Sequence, residues 1–380
     1  MERGLRFAGV AAGLVLSLAV AAPADATSTS VRLAPGVVLT HSSFTLHGAH
    51  QRAVTISVSL SRSTRLVAAS PGDVIGARRA TTLAMGRQEQ AVAGINGDVF
   101  YLSDPTAVPR GGLTHDGRTL KSALVAKKAA LYVSTAGVAA IGDPGFAGKV
   151  RTADGRHGYQ IRSVNSLENA RNGAVTLTDR RLLGAKLPGC TEVDLTATTA
   201  AGQFRVAAVH RKVTSYTRRV GSGRALVACS AAAGAWLTGN LSAGATVSVR
   251  VGYAAGRLNA LIGGARVLVA HGRRYDDRTG LVGYGNQRKP ETFACVLPGG
   301  RRLLLGAIEG GRRGAAGVTY AELTTYLLGR GCWSAMVLDG SHSSTVIAKR
   351  PGRHLAVANH PTNPGGAQRA VVDGLFVVAH

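Results

Sequence analysis

Glycine and proline interrupt this chain so often that mostly short regular elements fit between the breaks. The 380 residues include 50 glycines and 12 prolines, which favour turns and end strands and helices. Short runs with β-branched residues and alternating polarity lie between these breaks, and such runs predict strands. The predicted strands are VTISVSL (54–60), ALYVS (130–134), FRVAAVH (204–210), ATVSVRV (245–251) and RVLVA (266–270).

Helical signals are fewer. Residues 76–90 form one candidate helix, and residues 319–330 form a clearer one because Thr319 and Glu322 have the spacing of a capping box. The apolar face of the second helix is predicted to contain Leu323, Tyr326 and Leu327. The helix is predicted to end at Gly329 or Gly331. We therefore expect an α+β fold with mixed β-sheets and few helices.

The N-terminus has the pattern of a secretory signal peptide. Arg3 and Arg6 precede an apolar run from about Phe7 to Ala22, and Ala24-Asp25-Ala26 supplies small residues for cleavage. No later stretch is apolar enough to span a bilayer as a helix. We expect a secreted, extracellular protein without a transmembrane segment after signal removal; an uncleaved anchor is the alternative.

The four cysteines agree with export. None lies in a C-x-x-C pair, so a zinc site of that type is not expected. In an oxidising compartment an even number suggests disulfides. The favoured pairs are Cys190–Cys229 and Cys295–Cys332, because each closes a local loop, and buried thiols are the alternative.

The formal net charge of +25 predicts attraction to polyanions. Aromatic residues make up 5% of the chain, and the basic residues are scattered along it, without a recognised nucleic-acid module. Nucleic acid is therefore not the expected partner. An exported protein would first meet phosphorylated glycans or wall polymers, although arginine richness that only follows genome composition is an alternative.

Two acids stand beside glycine, each at the end of a predicted strand. The stretch from Trp333 to Leu338 predicts a buried strand that ends at Asp339-Gly340, followed by Ser341, His342, Ser343, Ser344 and Thr345. The stretch from Ala91 to Ile95 predicts another, ending at Asn96-Gly97-Asp98. Asx and hairpin turns are the structural alternatives. A long loop after Asp98 favours function, and the two acidic loops are expected to face one cleft.

These residues resemble the phosphodiester glycosidase family. Asn96-Gly97-Asp98-Val99-Phe100, with Pro109-Arg110-Gly111-Gly112 and Asp116-Gly117, is similar to the family's N-G-x-F-F, P-x-G and D-G motifs. The block from Val318 to Thr345 resembles T-x-x-E-L-A … L-D-G-G-G-S-S-T. Gly263-Gly264 with Leu268-Val269, and the stretch from Arg369 to Leu375, are similar to the family's G-G-x-P-x-L and R-x-V-x-x-G-L motifs. The motifs run in order from about residue 90 to residue 378.

The chain also departs from the family. Ser341-His342 replaces two glycines, and Glu291 stands where the family has an arginine in P-R-T, with Arg288 and Lys289 just upstream. Glu309-Gly310-Gly311-Arg312 stands in place of D-G-R, and Asp98 replaces the second glycine near Asn96, as in some bacterial members.

The residue patterns predict a signal peptide (1–26) and an N-terminal β segment (27–88), and the resemblance implies a phosphodiester glycosidase-like domain (89–380). It implies hydrolysis of a glycosyl-1-phosphodiester at the anomeric carbon, which needs a carboxylate base or nucleophile and a phosphate site. The catalytic candidates are Asp339, Asp98 and His342; the substrate-binding candidates are Asn96, Gly97, Arg110, Gly340, Ser343, Ser344 and Arg312.

Backbone N–H groups of the 340–344 and 110–112 loops are expected to bind phosphate. No cofactor is predicted; a divalent cation at Asp98 or Asp339 is an open alternative. The first functional hypothesis is an exported hydrolase of a phosphate-bearing glycan or cell-wall polymer. The second is a catalytically inactive scaffold of the same family that binds anionic wall polymer through its basic surface.

Overall fold

The computed structural model describes residues 27–76, 78–103, 108–123, 129–166, 174–179, 185–216, 223–275 and 285–379. The predicted signal peptide lies outside these residues. Within them, the α+β expectation holds in part, because the fold is mostly β-sheet with three short α-helices.

The described residues form four sheets, with strands numbered in chain order. The largest has eight strands in the spatial order β1 (Thr27–Ala34), β2 (Val37–Leu46), β3 (Ala49–Ser59), β21 (Arg302–Ile308), β20 (Glu291–Val296), β22 (Ser334–Val337), β18 (Arg266–Ala270) and β19 (Arg273–Arg274). Its neighbours pair antiparallel throughout. The N-terminal strands β1 to β3 therefore share one sheet with strands from residues 266–337.

Two five-stranded sheets flank the candidate site. The first has the order β7 (Arg118–Lys121), β6 (Leu113–His115), β17 (Leu258–Gly263), β8 (Ala130–Ser134) and β9 (Ala139–Gly142). The second has the order β24 (Leu355–Val357), β23 (Val346–Lys349), β5 (Ala93–Asn96), β25 (Gly374–Ala379) and β4 (Thr64–Ala69). One apolar core joins these two sheets to the eight-stranded sheet through buried residues such as Ile95, Leu131 and Leu305.

The fourth sheet closes into a seven-stranded barrel with its own apolar core. Its order is β10 (Phe146–Thr152), β11 (Gly158–Val164), β12 (Val175–Asp179), β15 (Arg224–Ala228), β13 (Ala185–Ala197), β14 (Gln203–Tyr216) and β16 (Thr246–Tyr253). The sequence did not indicate this closure, because each strand gives only a local alternating pattern. The barrel is inserted between β9 and β17.

Three α-helices accompany the sheets in the described part of the chain: α1 (Thr82–Gln88), α2 (Ala231–Asn240) and α3 (Tyr320–Gly329). Helix α3 has the predicted capping box between Thr319 and Glu322 and buries the predicted apolar face. Helix α1 is shorter than the predicted 76–90, because it begins after Thr81, whose side chain accepts a hydrogen bond from the Ala84 N–H. Helix α2 was not predicted.

Both predicted disulfides are confirmed: Cys190 pairs with Cys229, and Cys295 pairs with Cys332. Each joins elements within one part of the fold, the barrel in the first case and the eight-stranded sheet in the second. In the residues that the structure describes, no α-helix is both long and apolar enough to cross a bilayer. The predicted boundary between residues 88 and 89 stays a prediction.

Candidate active site

The two acidic loops meet in the fold. Strand β5 ends at Asn96 and strand β22 ends just before Leu338, and the two strands belong to different sheets. The Asp339 N–H donates a hydrogen bond of 2.9 Å to the Gly97 carbonyl oxygen. Although Asn96 and Asp339 are 243 positions apart in sequence, their loops are therefore in direct contact.

Asn96 joins the loops from the inside. Its Nδ2 donates to the Asp339 carbonyl at 2.7 Å, and its Oδ1 accepts from Thr292 Oγ1 at 2.8 Å and from the Thr345 N–H at 3.0 Å. The side chain is fully buried. This position suits a residue that holds the loops together, and the sugar contact expected for Asn96 stays a prediction.

Asp98 is a buried carboxyl held by backbone donors. It accepts hydrogen bonds from the Val99 N–H at 2.7 Å and from the Gly111 N–H. Burial raises the pKa of Asp98 to about 6, against the opposing effect of these N–H groups and of the Lys121 and Arg110 charges. Only 1% of Asp98 is exposed, whereas Asp339 is partly exposed.

Two glycines make room for the Asp98 carboxylate. A Cβ on Gly111 would lie 2.5 Å from Gly263 Cα and 2.8 Å from Asp98 Oδ2. A Cβ on Gly263 would lie 2.5 Å from Gly111 Cα and 2.8 Å from Asp98 Oδ2. Both positions therefore require glycine for close backbone approach, which explains the P-x-G and G-G motifs in physical terms.

Asp373 is a third acid that the sequence reasoning missed. Its buried Oδ1 accepts from the Asp98 N–H at 2.7 Å, and its carbonyl accepts from the Gly97 N–H at 3.1 Å. Burial and then the nearby Asp98 charge raise the pKa of Asp373 well above its ordinary value. The stretch Val371-Val372-Asp373-Gly374 has the same apolar–acid–glycine pattern as the Asp339 loop, and this signal could have identified it.

Lys121 supplies a buried cation beneath these acids. Its Nζ donates to the Gly111 carbonyl at 2.8 Å, and only 1% of the residue is exposed. Its charge favours the ionised forms of Asp98 and Asp373. The local sequence RTLK gives no sign of this burial, because a lysine at a strand end is usually solvated.

Asp339 is the part-exposed carboxylate of the cluster. Burial raises its pKa to about 6, while the Ser343 hydroxyl and the Arg369 and Lys289 charges favour ionisation. Arg369 Nη1 also donates to Ser343 Oγ at 3.4 Å. Asp339 is therefore the carboxylate best placed to meet a ligand from solvent, with two cations near it.

Glu291, at the position of the family's arginine, packs beneath the Asp339 loop. A Cβ on Gly340 would lie 2.1 Å from Glu291 Oε2, and Lys289 Nζ lies 3.4 Å from Oε1. Burial raises the pKa of Glu291 to about 8, and the Asp339 charge acts in the same direction. A second proton-holding carboxyl thus adjoins Asp339.

The two basic residues upstream of Pro290 have different roles. Arg288 donates from Nε and Nη2 to the Glu322 carboxylate, with Nε distances of 3.0 and 3.1 Å. Glu322 also caps helix α3, so capping and this ion pair account for it. Lys289 alone of the pair faces Glu291 and the Asp339 loop.

The backbone N–H groups expected to bind phosphate are largely used within the protein. The N–H groups of Ser341, Ser343 and Ser344 donate to the carbonyls of Pro290, Gly340 and Ser341. Those of Arg110 and Gly111 donate to the Val99 carbonyl and to Asp98. Positively charged side chains are therefore better candidates for phosphate contacts than these loop amides.

Of the other predicted residues, Arg110 lies near Asp98, and His342, Ser343 and Ser344 lie in the turn that follows Asp339. The Arg110 guanidinium stacks 4.4 Å from the Tyr101 ring centroid, and its charge acts on Asp98, so it belongs to the cluster. The exposed His342 ring lies beside Ser341 Oγ, with Nδ1 at 3.2 Å. Ser343 and Ser344 are buried behind it.

Arg312 is not brought to the Asp339 cluster. It pairs with Glu309 and lines a separate cavity of about 470 Å³ together with His41, Arg52 and Asn359. Because Glu309 also accepts from the His360 N–H at 2.7 Å, this ion pair has a local structural explanation. Across the described ranges, no group of three or more His, Cys, Asp or Glu side chains is arranged to hold a metal ion.

Solved structures with this fold share little sequence with the chain. A hypothetical protein from Synechocystis is 16% identical with a TM-score of 0.76, over 93% of this chain. The chain spans only 64% of that protein's length. A Burkholderia pseudomallei protein described as exported is 20% identical with a TM-score of 0.63, over 87% of this chain and 74% of its own. These likenesses show the fold alone.

A third structure is only distantly similar to this chain, with a TM-score of 0.47. It is the catalytic domain of zebrafish N-acetylglucosamine-1-phosphodiester alpha-N-acetylglucosaminidase, auto-inhibited by its pro-peptide; it is 12% identical, over 93% of this chain and 88% of its own. No curated protein matches the chain. The phosphodiester glycosidase family matches residues 197–378, which confirms the resemblance for the part of the chain that contains Asp339 and Asp373.

Proposed function

We propose that this protein is an exported hydrolase that cleaves a glycosyl-1-phosphodiester in a phosphate-bearing glycan or cell-wall polymer. One observation carries the proposal: the Asp339 and Asp98 loops are joined by a direct backbone hydrogen bond beside a part-exposed carboxylate. Support also comes from the family match over residues 197–378. Carboxyl groups whose pKa values are raised by burial cluster at functional sites.

Asp339 is the residue that would act at the anomeric carbon. In the hydrolysis a water oxygen bonds to that carbon, the carbon–oxygen bond to phosphate breaks, and its electron pair stays on the phosphate oxygen. Asp339 either accepts the proton of that water or first bonds to the carbon as nucleophile. Because phosphate leaves without strong protonation, electrostatic stabilisation matters more than a general acid.

The cations around Asp339 are the proposed phosphate contacts. Arg369 and Lys289 both act on Asp339 electrostatically, and Arg110 acts on Asp98. Guanidinium groups bind phosphate oxygens with two parallel hydrogen bonds. Asp98, Asp373 and Lys121 lie beneath and hold the loops. His342, on the exposed part of the 341–343 turn, remains a candidate for proton transfer to an entering ligand.

The proposal is tested by incubating the folded protein with a panel of glycosyl-1-phosphodiesters and measuring released sugar. Asp339→Asn should lower the rate at least about 100-fold, the scale expected when a carboxylate acting on the reacting centre is lost. The matched control is Asp154→Asn, which changes an exposed acid in a turn of the barrel. Sugar release by Asp339→Asn at the wild-type rate, or no release by the wild type from any member of the panel, would count against the proposal.

The second candidate is a scaffold that binds anionic polymer without turnover. Glu291 favours it, because an acid stands where the family has an arginine and its carboxyl adjoins Asp339. This candidate predicts salt-sensitive polymer binding that persists in Asp339→Asn, with no sugar released. Both candidates place the protein outside the cell, and the two disulfides are consistent with that oxidising setting.

A further inference from the structure

Two adjoining cavities lie beside the first five-stranded sheet, one where the barrel approaches it and the other between it and the segment from Leu60 to Leu66. One has a volume of about 740 Å³ and the other about 610 Å³. Asp116 and Thr135 line both of them. The two cavities therefore share an edge at these residues, and we call them together the basic groove.

The groove carries an excess of positive charge. Its charged lining consists of six arginines and two aspartates, a net charge of +4: Arg118, Arg224 and Arg257 on one side, Arg62, Arg65 and Arg301 on the other, with Asp116 and Asp179. All six arginines are exposed. Asp116 pairs with Arg65 at 2.5 Å, and Asp179 Oδ1 accepts from the Asn165 amide at 2.9 Å. Because the net charge stays positive with both acids counted, the field of the groove favours a polyanion.

The basic groove and the candidate active site lie at opposite ends of the same strands. Strand β17 runs from Leu258 in the groove to Gly263 beside Asp98. Five residues of extended strand span about 17 Å. A ligand in the groove would therefore leave the Asp339 site open, so the two can be occupied together.

The rest of the lining fits a glycan better than a nucleic acid. The hydroxyl-bearing residues Ser61, Thr119 and Thr135 line the groove at exposed or partly exposed positions. Proteins that bind single-stranded nucleic acids stack bases on exposed aromatic rings. Tyr253 is the one aromatic side chain in the described lining; it is only partly exposed, and its hydroxyl lies 3.4 Å from Thr114 Oγ1.

We propose that the basic groove is a second binding site, separate from the Asp339 site, that holds a phosphodiester-linked chain of sugars or polyols. The arginines contact successive phosphates, and the hydroxyl groups contact the neutral units between them. Such a site would retain a polymer on the protein whether or not a bond is cleaved at Asp339. It therefore goes beyond the proposed activity and does not depend on turnover.

The test is binding of a fluorescent oligo(glycerol phosphate) to the intact protein, measured by anisotropy over about 50 to 200 mM salt. The groove variant combines Arg118→Gln, Arg224→Gln and Arg257→Gln. It should bind at least about tenfold more weakly. The slope of log affinity against log salt should become shallower by about two, because binding with fewer phosphate contacts releases fewer counterions. Thermal unfolding checks that the variant is folded.

A charge-matched control separates a built groove from the field of the whole molecule. Arg32→Gln, Arg87→Gln and Arg353→Gln remove the same charge from exposed positions outside the groove. The control should bind nearly as tightly as the wild type, and Asp339→Asn should also retain binding. Equal weakening by the two triple variants would overturn the proposal. Tighter groove-dependent binding of a single-stranded DNA of equal charge would overturn the glycan assignment.

Discussion

At the scale of the residue, Glu291 gives the candidate site a second titrating carboxyl next to Asp339. Burial places the pKa of Asp339 at about 6 and that of Glu291 at about 8. Between these values Asp339 is ionised while Glu291 still holds its proton. Above pH 8 a second negative charge appears under the loop and would repel an anionic substrate.

The activity should therefore rise with pH through about 6 and fall through about 8. Because the acids interact, these apparent values belong to the cluster as a whole. Glu291→Gln, which is neutral at every pH, should remove the alkaline fall and leave the acidic rise. The measurement is kcat/KM for sugar release from pH 4 to 10. An unchanged alkaline limb in Glu291→Gln would show that Glu291 does not set it.

The Asp373 carboxyl should lower the free energy of unfolding between about pH 6 and pH 8, where activity is expected. Its pKa is raised in the folded state by burial, so folding favours the protonated form. The stability contribution is greatest at low pH and is lost as pH rises above the ordinary Asp value. Asp373→Asn keeps an Oδ1 acceptor for the Asp98 N–H and carries no charge.

We expect Asp373→Asn to raise the unfolding temperature at pH 8 more than at pH 4, relative to the wild type. Thermal unfolding followed by circular dichroism at the two pH values checks this. A uniform decrease at both values would mean that the lost carboxylate matters more than the removed buried charge.

At the scale of the element, close packing of β6 and β17 seats Asp98. Gly111→Ala would place a Cβ 2.5 Å from Gly263 Cα, and overpacking of this kind costs about 1–3 kcal/mol. It would also displace the N–H group that Asp98 accepts from. We expect lower stability in urea unfolding together with loss of sugar release.

The matched control for Gly111→Ala is Gly239→Ala. Gly239 lies in helix α2, and a Cβ there would meet no atom within 4 Å. Alanine at this position should stabilise by up to about 1 kcal/mol because of its helix propensity. If both substitutions had the same effect, the close approach at Gly111 would not be responsible.

Local sequence signals predicted elements better than their assembly. The runs 130–134 and 266–270 coincide with β8 and β18, and Thr319 caps α3 as its spacing indicated. Helix α2 was missed because its alanines and glycines form no clear apolar stripe. Closure of the barrel depends on pairings such as that of β10 with β16, which no local pattern encodes.

The site was predicted to a similar extent. Asp98 and Asp339 were identified because each stands next to a glycine, Gly97 or Gly340, at the end of a short apolar run. The two loops do meet in the structure. Lys121 could not be found, since its burial arises only when β7 packs beneath Gly111. Arg312 was assigned to the site from its motif, but tertiary packing pairs it with Glu309 in another cavity.

At the scale of the whole molecule, His115 connects the first five-stranded sheet to the segment that follows β4 and to the end of helix α1. Its Nδ1 lies 2.5 Å from Asp73 Oδ1, and its Nε2 lies 3.4 Å from Glu89 Oε2. The hydrogen bond to Asp73, followed by that to Glu89, raises the pKa of His115 to about 10. Asp73 ends the 3-10 turn Pro71–Asp73 and Glu89 is the C-cap of helix α1, whereas His115 ends β6.

Because the folded pKa lies above the ordinary value of 6.5, this cluster stabilises fully below about pH 6.5. The stabilisation is lost as pH rises through about 10. His115→Gln should therefore lower the unfolding temperature most at pH 6 and least near pH 10. The control is His354→Gln at an exposed position. A difference between His115→Gln and the wild type that does not vary with pH would contradict this role.

The bond that is cleaved is the most direct test of the proposed function. Hydrolysis of a glycosyl-1-phosphodiester in H₂¹⁸O distinguishes attack at the anomeric carbon from attack at phosphorus. We predict that the wild type releases a phosphomonoester without ¹⁸O. Asp339→Asn should release this product much more slowly than the wild type. Incorporation of ¹⁸O into the phosphate would mean attack at phosphorus and would contradict the assignment of Asp339 to chemistry at the sugar.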